Sequence, residues 1–239
     1  MQHRQWTVLT VLAFLTLVCG WFLGAMPAAI AQTSTGLYDP EPPVDSAYVR
    51  VLLATDPGPM QLVVDGNTRL SAVAAHQVSD YLVLSAGLHQ LALQAAGTGA
   101  PWNTVSLDVV QGLAMTVVFT AARGGEPPFV LTDKTGTNKL KAMIGVYQLA
   151  SRQNPLDVLT ADGKTKVFAH LAYGTSAYLA VNPITTRLKV QSGSDTRVLG
   201  QAELAMTQSA AYSILILPDK GGDIKVSVVP NKVERYTGK

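Results

Sequence analysis

The sequence predicts an all-β fold made of two tandem antiparallel β-sandwich domains related by an internal repeat. A shift of 97 positions brings Val49 onto Val146, Asp65-Gly66 onto Asp162-Gly163, Tyr81 onto Tyr178, Leu91 onto Leu188, Met115 onto Tyr212 and Gly124-Gly125 onto Gly221-Gly222. One constant offset that preserves both turn residues and core-type residues marks two copies of one module. Short, partly alternating runs rich in Val, Leu and Tyr recur between turn signals such as Asp56-Pro57-Gly58 and Asp65-Gly66, a spacing that suits sandwiches better than βαβ units. Apolar residues (AVILMFWYC) reach 48% against 14% charged, which is ample for packed cores and argues against a disordered chain.

In chain order, residues 1–31 read as an export signal: His3 and Arg4, an apolar run from Trp6 to Leu23, then the small-residue site Ala29-Ile30-Ala31. Retention of the run as an anchor is the alternative, because its length approaches a membrane span. Val18 precedes Cys19 where a lipoprotein signal needs a small residue. The single cysteine lies within this segment, so the chain after it forms no disulfide and depends on its core. Residues 32–44, with Tyr38-Asp39-Pro40-Glu41-Pro42-Pro43, are too rich in Pro for a central strand. This extended leader either packs as a strap or serves as a docking arm, with Tyr38 as its contact.

The first sandwich is expected over 45–132, with strands at Tyr48–Leu53, Gln61–Val64, Tyr81–Leu84, His89–Gln94, Thr104–Val109 and Met115–Thr120. A polar linker follows at 133–139. The second sandwich, 140–239, repeats the plan with Ala142–Gln148, Asp157–Thr160, Ala177–Val181, Arg187–Gln191, Gln201–Leu204 and Tyr212–Leu217. The Ala-rich stretch Ser71–Ala75 is long enough for only one turn of helix.

A formal charge of +2 excludes a nucleic-acid-condensing surface, but the distribution is uneven. Residues 32–132 hold 3 basic and 8 acidic side chains, whereas residues 133–239 hold 14 basic and 8 acidic. An anionic polysaccharide would therefore meet the second module, through Lys139, Lys141, Lys164 and Lys166. His76, His89 and His170 have no metal-ligand spacing and no cysteine beside them, so neither a metal nor a cofactor is expected. Gly193-Ser194-Asp195 reads as a polar hairpin turn, and no G-x-S-x-G occurs. Gly124-Gly125 and Gly221-Gly222 read as turns and not as phosphate cradles. Trp102, in the loop-like stretch Gly97–Asn103, is a candidate contact for a protein or a sugar. Its alternative is to fold back over the end of the sandwich.

Four stretches resemble a known family: Leu37-Tyr38-Asp39-Pro40, Ser46-Ala47-Tyr48-Val49-Arg50-Val51, Asn138-Lys139-Leu140-Lys141-Ala142 and Asp157-Val158-Leu159-Thr160-Ala161-Asp162-Gly163-Lys164-Thr165. Over most of the chain beyond the signal, they are similar to the periplasmic alginate O-acetylation proteins of the AlgF type. The resemblance implies two β-sandwiches in a non-enzymatic periplasmic protein. Such a protein works with a membrane acyltransferase and periplasmic acetyltransferases on an exported polymer, alginate or acetylated cellulose. It supplies no catalytic motif. The expected function is a non-catalytic adaptor that brings acetyltransferase components together, and the alternative is a polysaccharide-binding module that presents the polymer.

Overall fold

The computed structural model describes residues 43–134, 136–153, 155–219 and 223–234. The export segment, Tyr38 and Gly221-Gly222 lie outside these. Among the described residues every regular element is a strand. The first copy of the repeat holds β1 (Ser46–Leu53), β2 (Met60–Val64), β3 (Asn67–Val73), β4 (Gln77–Val78), β5 (Leu82–Ser85), β6 (Gly87–Ala95), β7 (Pro101–Val109), β8 (Ala114–Phe119) and β9 (Phe129–Asp133). The second holds β10 (Ala142–Gln148), β11 (Leu156–Thr160), β12 (Lys166–Leu171), β13 (Thr175–Val181), β14 (Thr185–Ser192), β15 (Val198–Ala205), β16 (Ala211–Pro218) and β17 (Ile224–Pro230).

These strands form four sheets. One is β4-β1-β8-β9, with β5 also paired to β1, and another is β3-β2-β6-β7; the second copy forms β13-β10-β16-β17 and β12-β11-β14-β15. Pairing is antiparallel except for β1 with β8 and β10 with β16, which run parallel. Parallel neighbours need a crossover. Here the chain leaves β1, builds the opposite sheet and returns as β8, so the crossover is itself the other half of the sandwich.

The Asp65-Gly66 turn joins β2 to β3 with φ of 50° and 81°, the left-handed pair that a tight two-residue hairpin demands and that Asp-Gly supplies. The next strand, β3, has no counterpart among the strands read from sequence, and it takes in Ser71–Val73 of the Ala-rich stretch, whose length weighs against a helix. Only Val73 of β3 is buried, so this edge strand lacks the apolar alternation by which strands are read from sequence. Trp102 also differs from expectation. It lies within β7, not in a loop, and packs partly buried against the first core.

Each copy encloses its own apolar core. Val49, Val51, Leu62, Leu91, Leu93, Leu107, Val117 and Phe119 fill the first, and Ile144, Val146, Leu156, Val158, Leu188, Val190, Ile214 and Ile216 the second. A third cluster joins the copies: Leu52, Ala54, Val118 and Leu131 meet Tyr147, Leu149, Leu215 and Leu217. The inner sheets β4-β1-β8-β9 and β13-β10-β16-β17 thus pack face to face. Asp133, at the start of the expected linker, is the last residue of β9 and faces this interface.

Strand directions follow from two contacts. Phe129, which opens β9, stacks edge-on against Tyr173, just before β13, with centroids 6.4 Å apart. Asp133, which closes β9, meets Tyr178 within β13 at 2.8 Å. Therefore β9 and β13 run the same way, and through their antiparallel neighbours β8 and β10 so do β1 and β10. Both copies begin at the same end of the molecule.

A fragment ending near Thr132 and one beginning near Asn138 are each expected to unfold cooperatively, since each carries its own core. Both should melt below the intact chain, because separation exposes the third cluster. Calorimetry of the two fragments and the whole chain checks this.

Candidate functional site

The interface between the inner sheets is not wholly apolar. Arg50 of β1 is the largest fully buried side chain among the described residues. Its Nε donates to Thr116 Oγ1 at 2.8 Å, Nη1 to Asn231 Oδ1 at 2.9 Å, and Nη2 to Tyr147 OH at 2.6 Å and Ser213 Oγ at 2.9 Å. Its charge is answered by Asp133, whose Oδ2 lies 3.5 Å from Nε. Asp133 in turn accepts from Tyr81 OH at 2.7 Å, Thr116 Oγ1 at 2.6 Å, Tyr147 OH at 2.7 Å and Tyr178 OH at 2.8 Å. The guanidinium also lies over the Tyr81 ring, 4.4 Å from its centroid.

Burial pushes the hydroxyls of Tyr81 and Tyr178 well above the usual phenol range and raises that of Tyr147, and the neighbouring Asp133 carboxylate reinforces this. They stay neutral donors. A buried ion pair is tolerable only when its remaining hydrogen-bonding capacity is filled, and here four hydroxyls fill the carboxylate while two hydroxyls, a phenol and an amide fill the guanidinium. Gly145 makes room for this: a Cβ there would lie 2.7 Å from Tyr178 Cε1. The hub escaped the sequence reading, although the offset of 97 that pairs Tyr81 with Tyr178 also pairs Arg50 with Tyr147 and Thr116 with Ser213.

The C-terminal strand leads from the hub onto the first copy. Tyr81 N donates to Lys232 O and Glu234 N to Tyr81 O, both at 2.8 Å. Glu234 Oε1 then accepts from Val83 N at 2.8 Å and Arg69 Nη2 at 2.7 Å. Charged side chains thereby occupy the outer edge of β5, which blunts it against stray strand pairing.

At the other end of β5 lies a cleft of about 280 Å³, lined in part by Asp65, Asn67, Arg69, Ser85 and His89. It holds an Asp–His–Ser array. His89 Nδ1 is 2.6 Å from Asp65 Oδ2, and His89 Nε2 is 3.4 Å from Ser85 Oγ but only 2.9 Å from the Ser85 carbonyl oxygen. Nε2 thus lies nearer the backbone carbonyl than the Ser85 hydroxyl, whereas a general base is held against the hydroxyl that it activates. Asp65 also accepts from Gln90 N at 2.8 Å. That bond, followed by the one with His89, holds its carboxyl below the usual value. The array acts as a pin joining the β2–β3 hairpin to β6 and β5.

Among the residues singled out from sequence, Lys139 is exposed in the turn before β10, and Lys141 Nζ donates to Asn182 Oδ1 at 2.6 Å. Lys164 is exposed in the β11–β12 hairpin. Lys166 is engaged, 2.6 Å from the buried Asp157 carboxylate. Ser194 lies in a turn, its hydroxyl 2.9 Å from that of Ser192. No group of three or more metal-binding side chains forms among the described residues.

Asp133→Ala should cost about 3–5 kcal/mol by stranding the buried Arg50 charge, and Tyr178→Phe about 1.5–3 kcal/mol for one hydrogen bond to a charged group. Urea unfolding of the whole chain measures both. For Asp157, burial alone would raise the carboxyl, but the bonds from Lys166 and His170 N outweigh it and hold it below 3.8. A depressed folded value gives stability that is present above the ordinary value and lost as pH falls through the folded one. Asp157→Asn is therefore expected to be less stable near neutrality and to lose less on acidification below about pH 4. Melting temperatures between pH 3 and 7 test this.

A family model described as "Alginate O-acetyl transferase AlgF" matches residues 21–212. The alginate biosynthesis protein AlgF of Pseudomonas putida is 31% identical over 202 residues, covering 84% of this chain and 86% of that protein. Its counterpart in Pseudomonas aeruginosa is 30% identical over 179 residues, covering 74% and 76%. A solved C-terminal domain of AlgF from P. aeruginosa is 22% identical, covers 39% of this chain and 100% of its own, and superposes with a TM-score of 0.34.

Proposed function

The chain belongs to the AlgF family of alginate O-acetylation proteins, and from that premise we propose that it is a non-catalytic periplasmic adaptor, which brings acetyltransferase components together on an exported polysaccharide. The observation that supports this reading is the geometry at Ser85. The described residues place one serine in a histidine–aspartate array, and that histidine spends its second nitrogen on a backbone carbonyl. Acyl transfer by a serine needs Nε2 aimed at Oγ, and here Nε2 sits closer to the Ser85 carbonyl oxygen, at 2.9 Å against 3.4 Å. That geometry supports reading the array as a structural pin.

What the fold offers instead is a stiff support. The Arg50–Asp133 hub and the third apolar cluster fuse the inner sheets, so loops on both copies are carried in a fixed relation, as a bridge between two proteins requires. The basic side chains are partly engaged: Lys166 pairs with Asp157 and Arg187 with Glu203, while Lys139 and Lys164 stay exposed.

The purified chain is expected to show no acetylesterase or acetyltransferase turnover, with Ser85→Ala indistinguishable from the unaltered protein. The tagged chain should retain acetyltransferases from periplasmic and membrane extracts. Turnover abolished by Ser85→Ala, or retention of polymer with no enzyme, would overturn the reading.

A further inference from the structure

Apolar side chains are not scattered over this surface. Ten large apolar residues are exposed among the described residues, and six of them, Val44, Leu88, Val110, Leu113, Leu140 and Ile184, belong to one end of the molecule. Three are almost fully exposed: Val44 at 89%, Leu88 at 76% and Leu140 at 68%. Backbone bonds place them. Gln111 Nε2 donates to Val44 O at 2.7 Å, Gly112 N to Ser46 O at 2.9 Å and Tyr48 N to Leu113 O at 2.9 Å, while Gly87 pairs with Val109. Val44, Leu88, Val110 and Leu113 therefore crown the end at which β1 begins. Leu140 precedes β10 and Ile184 precedes β14, with Met206 N donating to Ile184 O at 3.1 Å. They crown the end at which β10 begins. Because β1 and β10 run the same way, the two crowns face the same side.

We propose that this end docks on an anionic phospholipid bilayer. Three features point to lipid. The side chains stand exposed, Leu88 at the start of β6 and the others in loops and turns, which suits insertion among headgroups and acyl chains. A hydroxyl-rich polymer offers them nothing to bury against. The charge beside them fits an anionic surface: Lys139 and Lys141 flank Leu140, and Lys164 joins them through the β11–β12 hairpin, which is tied to the start of β14 by Ala161 N donating to Arg187 O at 2.9 Å. Each basic residue near such a surface adds to the attraction. The described chain also starts at this end, at Pro43, and the 42 residues before it include the apolar run Trp6–Leu23. Asp45 and Asp108 at the crown of the first copy and Asp162 beside Lys164 oppose an anionic surface, so the apolar side chains carry much of the contact.

The contact is independent of the adaptor reading, since it involves neither an enzyme nor the Ser85 array. The test uses the full chain with Cys19→Ser and a single environment-sensitive fluorophore on a cysteine introduced at Leu88, Leu140 or Ile184. The control site is Ser151, exposed beyond the opposite end of β10. With vesicles of phosphatidylethanolamine and phosphatidylglycerol, the three end positions are expected to shift to the blue and resist an aqueous quencher, while Ser151 does not change. Lys139→Glu, Lys141→Glu and Lys164→Glu together should reduce the shift at Leu140, and Leu88→Glu with Ile184→Glu should abolish it. The substituted residues, apart from the partly buried Lys141, are exposed, and a retained melting temperature shows that the fold survives. No shift, an equal shift at Ser151, or a shift produced by alginate or by an acetyltransferase but not by vesicles would overturn the proposal.

Discussion

Arg50 and Asp133 form a charge pair with essentially no access to water, set between two β-sheets that are otherwise joined by leucine, valine and tyrosine. Removing both ions from solvent costs several kcal/mol each, and attraction alone does not reliably offset that. The offset comes from completeness: every neighbour of the pair is a polar group supplied at the right height by a strand. Thr116 comes from β8, Tyr147 from β10, Tyr178 from β13 and Ser213 from β16, with Tyr81 and Asn231 from the segments that flank β5 and β17. The relative placement of the inner sheets is thus tied to a hydrogen-bond pattern with few alternative registers. An apolar interface of the same area would be greasier and less selective about register.

The internal repeat explains how such a hub can arise. Arg50 bonds to Tyr147, its own equivalent at the offset of 97, as residues near the axis of an isologous pair do. Thr116 and Ser213 both bond to the Arg50 guanidinium, and Tyr81 and Tyr178 both bond to Asp133. The scaffold is symmetric but its chemistry is not. An arginine facing its own copy would bury two like charges, whereas arginine facing tyrosine buries a cation with a donor–acceptor. Fusion of both copies in one chain is what lets equivalent positions hold different residues.

The same economy of parts runs through the surface. Side chains that suggest chemistry when read singly are largely committed to holding strands: His89 and Asp65 pin a hairpin, Glu234 caps an edge, and Lys166 answers the buried Asp157. Six of the ten exposed large apolar side chains among the described residues, with Lys139 and Lys164, gather at the end where both copies begin. A rigid body with one distinctive end fits the proposed adaptor role.

The sequence by itself determined the all-β class, the duplicated plan and most strands, because those rest on local alternation, turn residues such as Asp65-Gly66 and a constant offset, all visible along one dimension. It also marked the absence of recognisable catalytic spacing. It did not reveal β3, β4, β9, β12 or β17, all edge strands of their sheets, where exposure weakens the apolar alternation by which strands are read. It placed Trp102 in a loop because Gly and Pro precede it, whereas pairing with β6 carries β7 back through that position. The hub, the common direction of β1 and β10, and the end they share were decided only by tertiary structure. A buried Arg–Asp pair joins residues 83 apart in sequence, and nothing local distinguishes an arginine turned into an interface from one turned to water.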